Sequence, residues 1–412
     1  MSDSRYRQRL LDSLLKELTA ELPAVMVTGP RATGKTTIAE RYAATVVHLD
    51  RPAEAAVFRA DPDAGLAEQD EPVLLDEWQE VPATLGAVKR AVDADPRPGR
   101  FLLTGSVRAD LEAATWPGTG RLVRVPMYGM TVGEQEGRVG RRPFLDRLSS
   151  GYLPVLPSER PGLRDYVRLA LTSGFPEPAL HMGPRARLRW LDGYLEQLLT
   201  RDAAGIDSGR DPARLRRYFE AFALSTAGTA ADTTLLEASG VNRKTAVAYE
   251  RLLTNLFVVE AIPAWTSNRL KRLALRPKRY LVDPALAVAA LRLDQSAVLR
   301  DGDVLGRLLD TFVMAQLRSE LAVCETRPRL FHLRDEHGRH EIDIVAELGG
   351  GDLLAFEVKA DAAPGRNSAR HLAWLRERIG ERLLRGVVFH TGPGLYELDD
   401  RIIAVPICAL WG

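Results

Sequence analysis

The residues of this chain that could do chemistry form two groups, about three hundred positions apart. In the first, A-V-M-V-T-G-P-R-A-T-G-K-T-T over Ala24–Thr37, Gly29, Gly34, Lys35 and Thr36 match G-x-x-x-x-G-K-[ST]. In such a loop the backbone N–H groups of Arg31, Ala32, Thr33, Gly34, Lys35, Thr36 and Thr37 cradle phosphate, the lysine reaches the β/γ-phosphates, and the Thr36 hydroxyl goes to Mg²⁺. The apolar run before it reads as a buried strand, and Thr37–Ala44 as a helix whose start favours an anion. About 40 residues on, the run Pro72–Leu75 ends in Asp76-Glu77. Asp76 is expected to hold Mg²⁺ through water and Glu77 to orient the attacking water. That second carboxylate favours hydrolysis over transfer, because transfer must exclude water. A third strand, Phe101–Leu103, runs into Thr104-Gly105-Ser106. Ligands sit at the C-terminal ends of parallel strands, so Ser106 or Thr104 can sense the γ-phosphate or position water. Arg121 is a candidate arginine finger or sensor, against the reading of a solvated surface arginine. Tyr6 or Arg7 is a candidate for the nucleotide base.

The second group is Glu341-Ile342-Asp343 and, 14 residues after Asp343, Glu357-Val358-Lys359. Strand alternation places Glu357 and Lys359 on one face, and Asp343 lies on the neighbouring strand. Two carboxylates and a lysine converging there could bind divalent metal through Asp343 and Glu357 and cleave a phosphodiester. Asp310 or Glu320, on a preceding helix, could add a carboxylate. The competing reading is a salt-bridged face without activity.

The elements that must position these groups follow from pattern. At 412 residues the chain exceeds one ordinary core. The expected division is an α/β P-loop ATPase domain over 1–135, a linker and helical region over 136–210, a winged helix over 211–300, and a nuclease-like α/β domain over 301–412. Within the third, Thr233–Val259 reads as helix, Ser239-Gly240 turn, and a second helix led by Asn242, Arg243, Lys244 and Thr245. Between Trp265 and Val282 lie Arg269, Lys271, Arg272, Arg276, Lys278 and Arg279, with no acidic residue. A basic hairpin after a helix-turn-helix points to nucleic-acid phosphates, DNA before RNA, or else to a packing module.

Composition sets the outer bounds. A net charge of +1 excludes a chain that is basic throughout. No apolar run is long enough to span a bilayer, and M-S-D-S-R-Y-R-Q lacks a leader's apolar core. Cys324 and Cys408 have no metal or redox spacing, and a cytoplasmic setting is expected. Only seven of the 56 basic residues are lysines, so a lysine here marks a place where a compact ammonium is needed. Lys35 and Lys359 are two of them.

The motifs G-P-R-A-T-G-K-T-T, V-L-L-D-E, L-L-T-G-S and G-R before a basic strand resemble an AAA+ ATPase. D-x(n)-E-x-K on an α-β-β-β-α-β order resembles the PD-(D/E)xK nuclease superfamily. With G-F-P-E at Gly174–Glu177 and R-P-K-R-Y-L-V-D-P-A-L at Arg276–Leu286, the whole chain resembles bacterial AAA+ ATPases carrying the C-terminal domain of unknown function numbered 4143. The resemblance implies ATP and Mg²⁺ as cofactors and a nucleic-acid or protein partner. A finger role for Arg121 across subunits would require a homo-oligomer. The chain departs from the family at Pro284, where relatives usually have glycine after the aspartate.

Overall fold

The computed structural model describes residues 6–107, 120–202, 211–229, 232–273, 275–335 and 339–412. The first five residues of the segment read for a leader lie outside that set. The chain forms two compact units, Met1–Tyr128 with Thr254–Phe257, and Gly129–Leu253 with Val258–Gly412.

In the first unit, β1 (Ala24–Thr28), β2 (Thr45–His48), β3 (Val73–Asp76), β4 (Phe101–Gly105) and β5 (Val123–Pro126) form one parallel sheet in the order β2-β3-β4-β1-β5. The runs Ala24–Val27 and Val73–Leu75 are fully buried, as expected of parallel strands covered on both faces. The register pairs Val27 with Thr104, Leu75 with Leu103, and His48 with Asp76. All C-terminal strand ends therefore line one edge. The helix after the phosphate loop, Lys35–Ala39, starts two residues before the expected span and tightens into a 3₁₀ turn at Glu40–Tyr42.

In the second unit, β8 (Arg329–Arg334), β9 (Glu341–Glu347), β10 (Leu353–Val358), β11 (Leu383–His390), β12 (Tyr396–Asp399) and β13 (Ile402–Pro406) form a mixed sheet ordered β12-β13-β11-β10-β9-β8. Helix Gly302–Glu320 buries Leu305, Leu308, Phe312 and Leu317 together with the polar Asp310, Gln316 and Glu320. Before it come helices Pro212–Leu224, Asp232–Ser239 and Arg243–Asn255 and an antiparallel pair, β6 (Val259–Ile262) with β7 (Lys278–Leu281). The segments expected as linker, as hairpin of the winged helix and as C-terminal domain share one core, in which Phe144, Tyr166, Tyr280, Phe312, Phe356 and Trp411 belong to the same cluster. Each segment has one apolar face, which must be buried against another element. Asp283 shows why Pro284 is tolerated. Its carboxylate accepts from the Ala285 N–H at 2.8 Å as a helix N-cap, and Pro284 takes the first helical position, where no N–H is needed.

Candidate functional site

At the C-terminal edge of the parallel sheet, Gly29 has φ +155°, and a Cβ there would lie 1.9 Å from the Met127 carbonyl oxygen. Only glycine fits this close approach. Thr33 Oγ1 donates to the Pro30 carbonyl at 2.9 Å and ties the loop across its base. Lys35 is buried and donates to the same carbonyl at 2.8 Å. Burial, partly offset by the charges of Glu77 and Asp76, pulls its pKa down to about 8. The Thr36 hydroxyl donates to Asp76 Oδ1 at 2.7 Å, bringing the expected Mg²⁺ ligands together. Thr104 donates to the same oxygen, and His48 Nδ1 lies 3.2 Å from Asp76 Oδ2.

Glu77 adopts a left-handed backbone, φ 53°, which is costly for a non-glycine residue and typical of strain held at functional sites. Its N–H donates to Thr104 Oγ1 at 3.3 Å, while its carboxylate accepts from Ser106 Oγ at 3.0 Å and from Gln79. A Cβ on Gly105 would come within 2.5 Å of Trp78 Nε1, so glycine lets β4 pass beneath the turn that carries Glu77. Thr36, Asp76, Glu77 and Ser106 thus converge as the motifs anticipate. His48 and Gln79 went unread because neither belongs to a motif.

Arg121 and Tyr6 are each engaged by acidic side chains of the chain itself. Arg121 precedes β5, whose Val123 pairs with Val25 of β1, so it lies at the sheet edge opposite the phosphate loop. There it pairs with Asp93 at 2.6 Å, and it is no ligand of the nucleotide held by its own chain. Tyr6 donates to Asp12 Oδ2 at 2.8 Å beneath the Arg41 guanidinium. The nearby side chain that reaches the loop is Arg9, which donates to the Thr33 carbonyl at 2.7 Å and the Tyr128 carbonyl at 2.8 Å.

The second group also assembles, with an addition. Asp343 Oδ2 accepts from the Val358 N–H at 3.0 Å, and Lys359 Nζ donates to Glu357 Oε2 at 2.7 Å. Asp310 joins from the buried helix, whereas Glu320 turns away to accept from the Phe144 N–H at 2.8 Å. Between Asp310 and Asp343 stands the ammonium of Lys278 from β7, 2.5 Å from Asp310 Oδ2 and 3.0 Å from Asp343 Oδ1. Burial opposes its charge, and the two carboxylates outweigh that cost, holding its pKa well above the ordinary lysine value. Burial and the nearby Asp343 charge push Glu357 up to about 8. Among the described residues no group of three or more His, Cys, Asp or Glu could hold a metal ion. The Asp343 carboxylate, expected to hold metal together with Glu357, is instead paired with a protein cation, the Lys278 ammonium that it shares with Asp310.

The basic hairpin is likewise largely spent inside the unit. Arg272 forms a bidentate pair with Glu347 at 2.7 and 2.9 Å and packs on Trp265 and Phe331. Arg279 pairs with Glu250 at 2.7 Å. Asn242, Arg243 and Lys244 remain exposed at the start of helix Arg243–Asn255. Among the described residues no helix is long and apolar enough to cross a membrane.

Residues 21–136 match the AAA domain family, residues 163–297 match a domain of unknown function (DUF8612), and residues 305–410 match another (DUF4143). The chain therefore carries an AAA-type P-loop domain followed by a DUF4143 domain. It is similar to two uncharacterized proteins, Mb2031c of Mycobacterium bovis and Rv2008c of Mycobacterium tuberculosis. Each is 27% identical over 396 residues, covering 95% of this chain and 82% of the relative. A solved structure, the Walker-type ATPase PABY2304 of Pyrococcus abyssi, is similar at a TM-score of 0.44 and 13% identity, covering 70% of this chain and 96% of that one.

Proposed function

We propose that this protein is a Mg²⁺-dependent ATP hydrolase that uses nucleotide turnover to switch its hold on a nucleic-acid partner, DNA before RNA. The observation that carries the hydrolase reading is the Thr36 hydroxyl on the Asp76 carboxylate at 2.7 Å, one residue before a Glu77 held by Ser106. Thr36 and Asp76 are the pair that would hold Mg²⁺, whose role is to neutralise charge on the β- and γ-phosphate oxygens. Arg31–Thr37 present backbone N–H groups to the phosphates, and Lys35 brings a buried ammonium to them. Glu77 accepts a hydrogen bond from the attacking water and orients it, with Ser106 fixing the carboxylate.

For the partner, the helix-turn-helix and β6–β7 read as a winged helix, and the exposed Asn242, Arg243 and Lys244 are the side chains to meet phosphate and base edges. Phosphodiester cleavage by Asp343, Glu357 and Lys359 was the competing chemistry. The ammonium of Lys278 in that centre favours a switch over a nuclease.

Phosphate release measured with and without duplex DNA tests both halves. Wild-type protein is expected to hydrolyse ATP, to stop on chelation of Mg²⁺, and to be stimulated by DNA. Lys35→Ala should lose at least about 100-fold in turnover, by removing a charge-stabilising group. Retained turnover in that variant overturns the hydrolase site. Stimulation unchanged in Arg243→Ala/Lys244→Ala moves the partner away from this helix.

A further inference from the structure

The carboxylates of Asp310 and Asp343 are not isolated from solvent. A cleft of about 500 Å³ opens onto them, lined among others by Arg307, Asp310, Arg334, Asp343 and Lys359. A hydrated cation could reach the cluster by that route. The position between the carboxylates is nevertheless filled from the protein side. Lys278 is 2% exposed and contacts both carboxylates, and Tyr280, on the same strand and face, donates to Asp310 Oδ1 at 3.0 Å. With Lys359 on Glu357, two ammonium groups face three carboxyl groups. One carboxylate oxygen, Glu357 Oε1, is buried without a hydrogen-bond partner, so the cluster is one donor short of satisfied. A buried acceptor left in this way is costly unless a cation or proton meets it.

We infer that Lys278 is the resident cation of this centre. Its ammonium stands where a divalent ion would have to bind, and it latches the β6–β7 hairpin onto the sheet that carries Asp343 and Glu357. Two consequences follow. While the hairpin is docked, the centre takes up no divalent metal, because bringing a second cation between two carboxylates already paired with an ammonium adds like-charge repulsion. When the charge of Lys278 is removed with a side chain of similar length, Asp310 and Asp343 are free to hold one oxygen-preferring divalent ion, of the Mg²⁺ or Mn²⁺ class, whose remaining positions are filled by water from the cleft. The inference is independent of the ATPase reading, since it concerns the full chain without nucleotide.

The test is a count of bound Mn²⁺ by electron paramagnetic resonance on nucleotide-free full-length protein. Wild type and Asp343→Asn are expected to bind the same amount, and Lys278→Arg to match them. Lys278→Met is expected to gain one Mn²⁺ per chain, which the double variant Lys278→Met/Asp343→Asn loses. A wild-type Mn²⁺ that disappears in Asp343→Asn overturns the inference, whether or not Lys278→Met folds. So does a Lys278→Met protein with native circular dichroism that gains no ion.

Discussion

Lys35 and Lys278 are two of the few lysines in an arginine-rich chain, both are buried, and both stand beside acidic residues, yet they are held in opposite ways. Lys35 donates to a neutral carbonyl, and burial drags its pKa down to about 8. Lys278 touches two carboxylates, and they hold its pKa well above the ordinary value. A buried ammonium with a neutral acceptor is poised for an anion that arrives from outside, here the phosphates. A buried ammonium clamped by two carboxylates has its counter-charge already. The first centre is built to receive a ligand and the second is built closed.

The contrast breaks or holds first on stability. Removing one partner from a buried ion pair leaves an uncompensated charge, at a cost of about 3–5 kcal/mol. Lys278→Ala should therefore destabilise the second unit by that order. Lys35→Ala, measured without nucleotide, should change the first unit by less than about 1 kcal/mol, because it removes a single bond to a carbonyl along with the penalty of a buried charge. Native-state amide exchange read separately on β1 and β10 distinguishes the units. Equal losses in the two variants would erase the distinction drawn between a receiving and a closed centre.

The next largest effect is on chemistry in the first centre. Glu77→Gln keeps the side-chain volume and an acceptor for Ser106 but removes the carboxylate that orients water. The expected loss is about 100-fold in kcat, or roughly 2.7 kcal/mol, with ATP affinity changed by less than about threefold. Loss of affinity with kcat preserved would place Glu77 in binding instead of catalysis.

How much of this was legible in the sequence differed between the centres for a physical reason. In the first, contacts run between neighbouring strands of a sheet with fixed register, so residues at strand ends are bound to meet: Thr36, Asp76, Glu77 and Ser106 could be read together. Arg121 could not, because a G-R step says nothing of which edge of the sheet it starts from, and the pairing of Val123 with Val25 decides it. In the second, Asp343, Glu357 and Lys359 lie on adjacent strands and were visible, but Lys278 comes from a hairpin 65 residues before Asp343. No periodicity links the two. Its lysine in an arginine-rich chain was the one available signal, and it stood among six basic residues that could be phosphate contacts or a packing module. For Arg272 and Arg279 the sequence left phosphate contact and packing both open for the same reason, since their acidic partners, Glu347 and Glu250, lie outside the basic stretch.

The effect that is smallest per unit of the variable changed separates the units by pH. In the second unit, burial pushes Glu320 up to about 8, as it does Glu357. Between roughly pH 4.5 and pH 8 the folded state keeps a proton at each that the unfolded chain, with an ordinary glutamate pKa, has lost. Stability must then fall as pH rises through that window, by at most about 1.4 kcal/mol per pH unit for each proton. In the first unit Lys35 has the reverse sign: its folded pKa lies below the unfolded value, so between about pH 8 and pH 10 the unfolded chain binds the extra proton and stability rises with pH. Glu320→Gln preserves an acceptor for the Phe144 N–H and cannot ionise, so it should remove the Glu320 share, about half, of the acid-to-neutral slope of the second unit while leaving that of the first unchanged. Urea midpoints from pH 5 to pH 8, read by exchange in β1 and β10, measure the two slopes. A slope unchanged in the variant would mean that Glu320 is ionised in the folded protein, with the nearby Arg147 supplying its counter-charge.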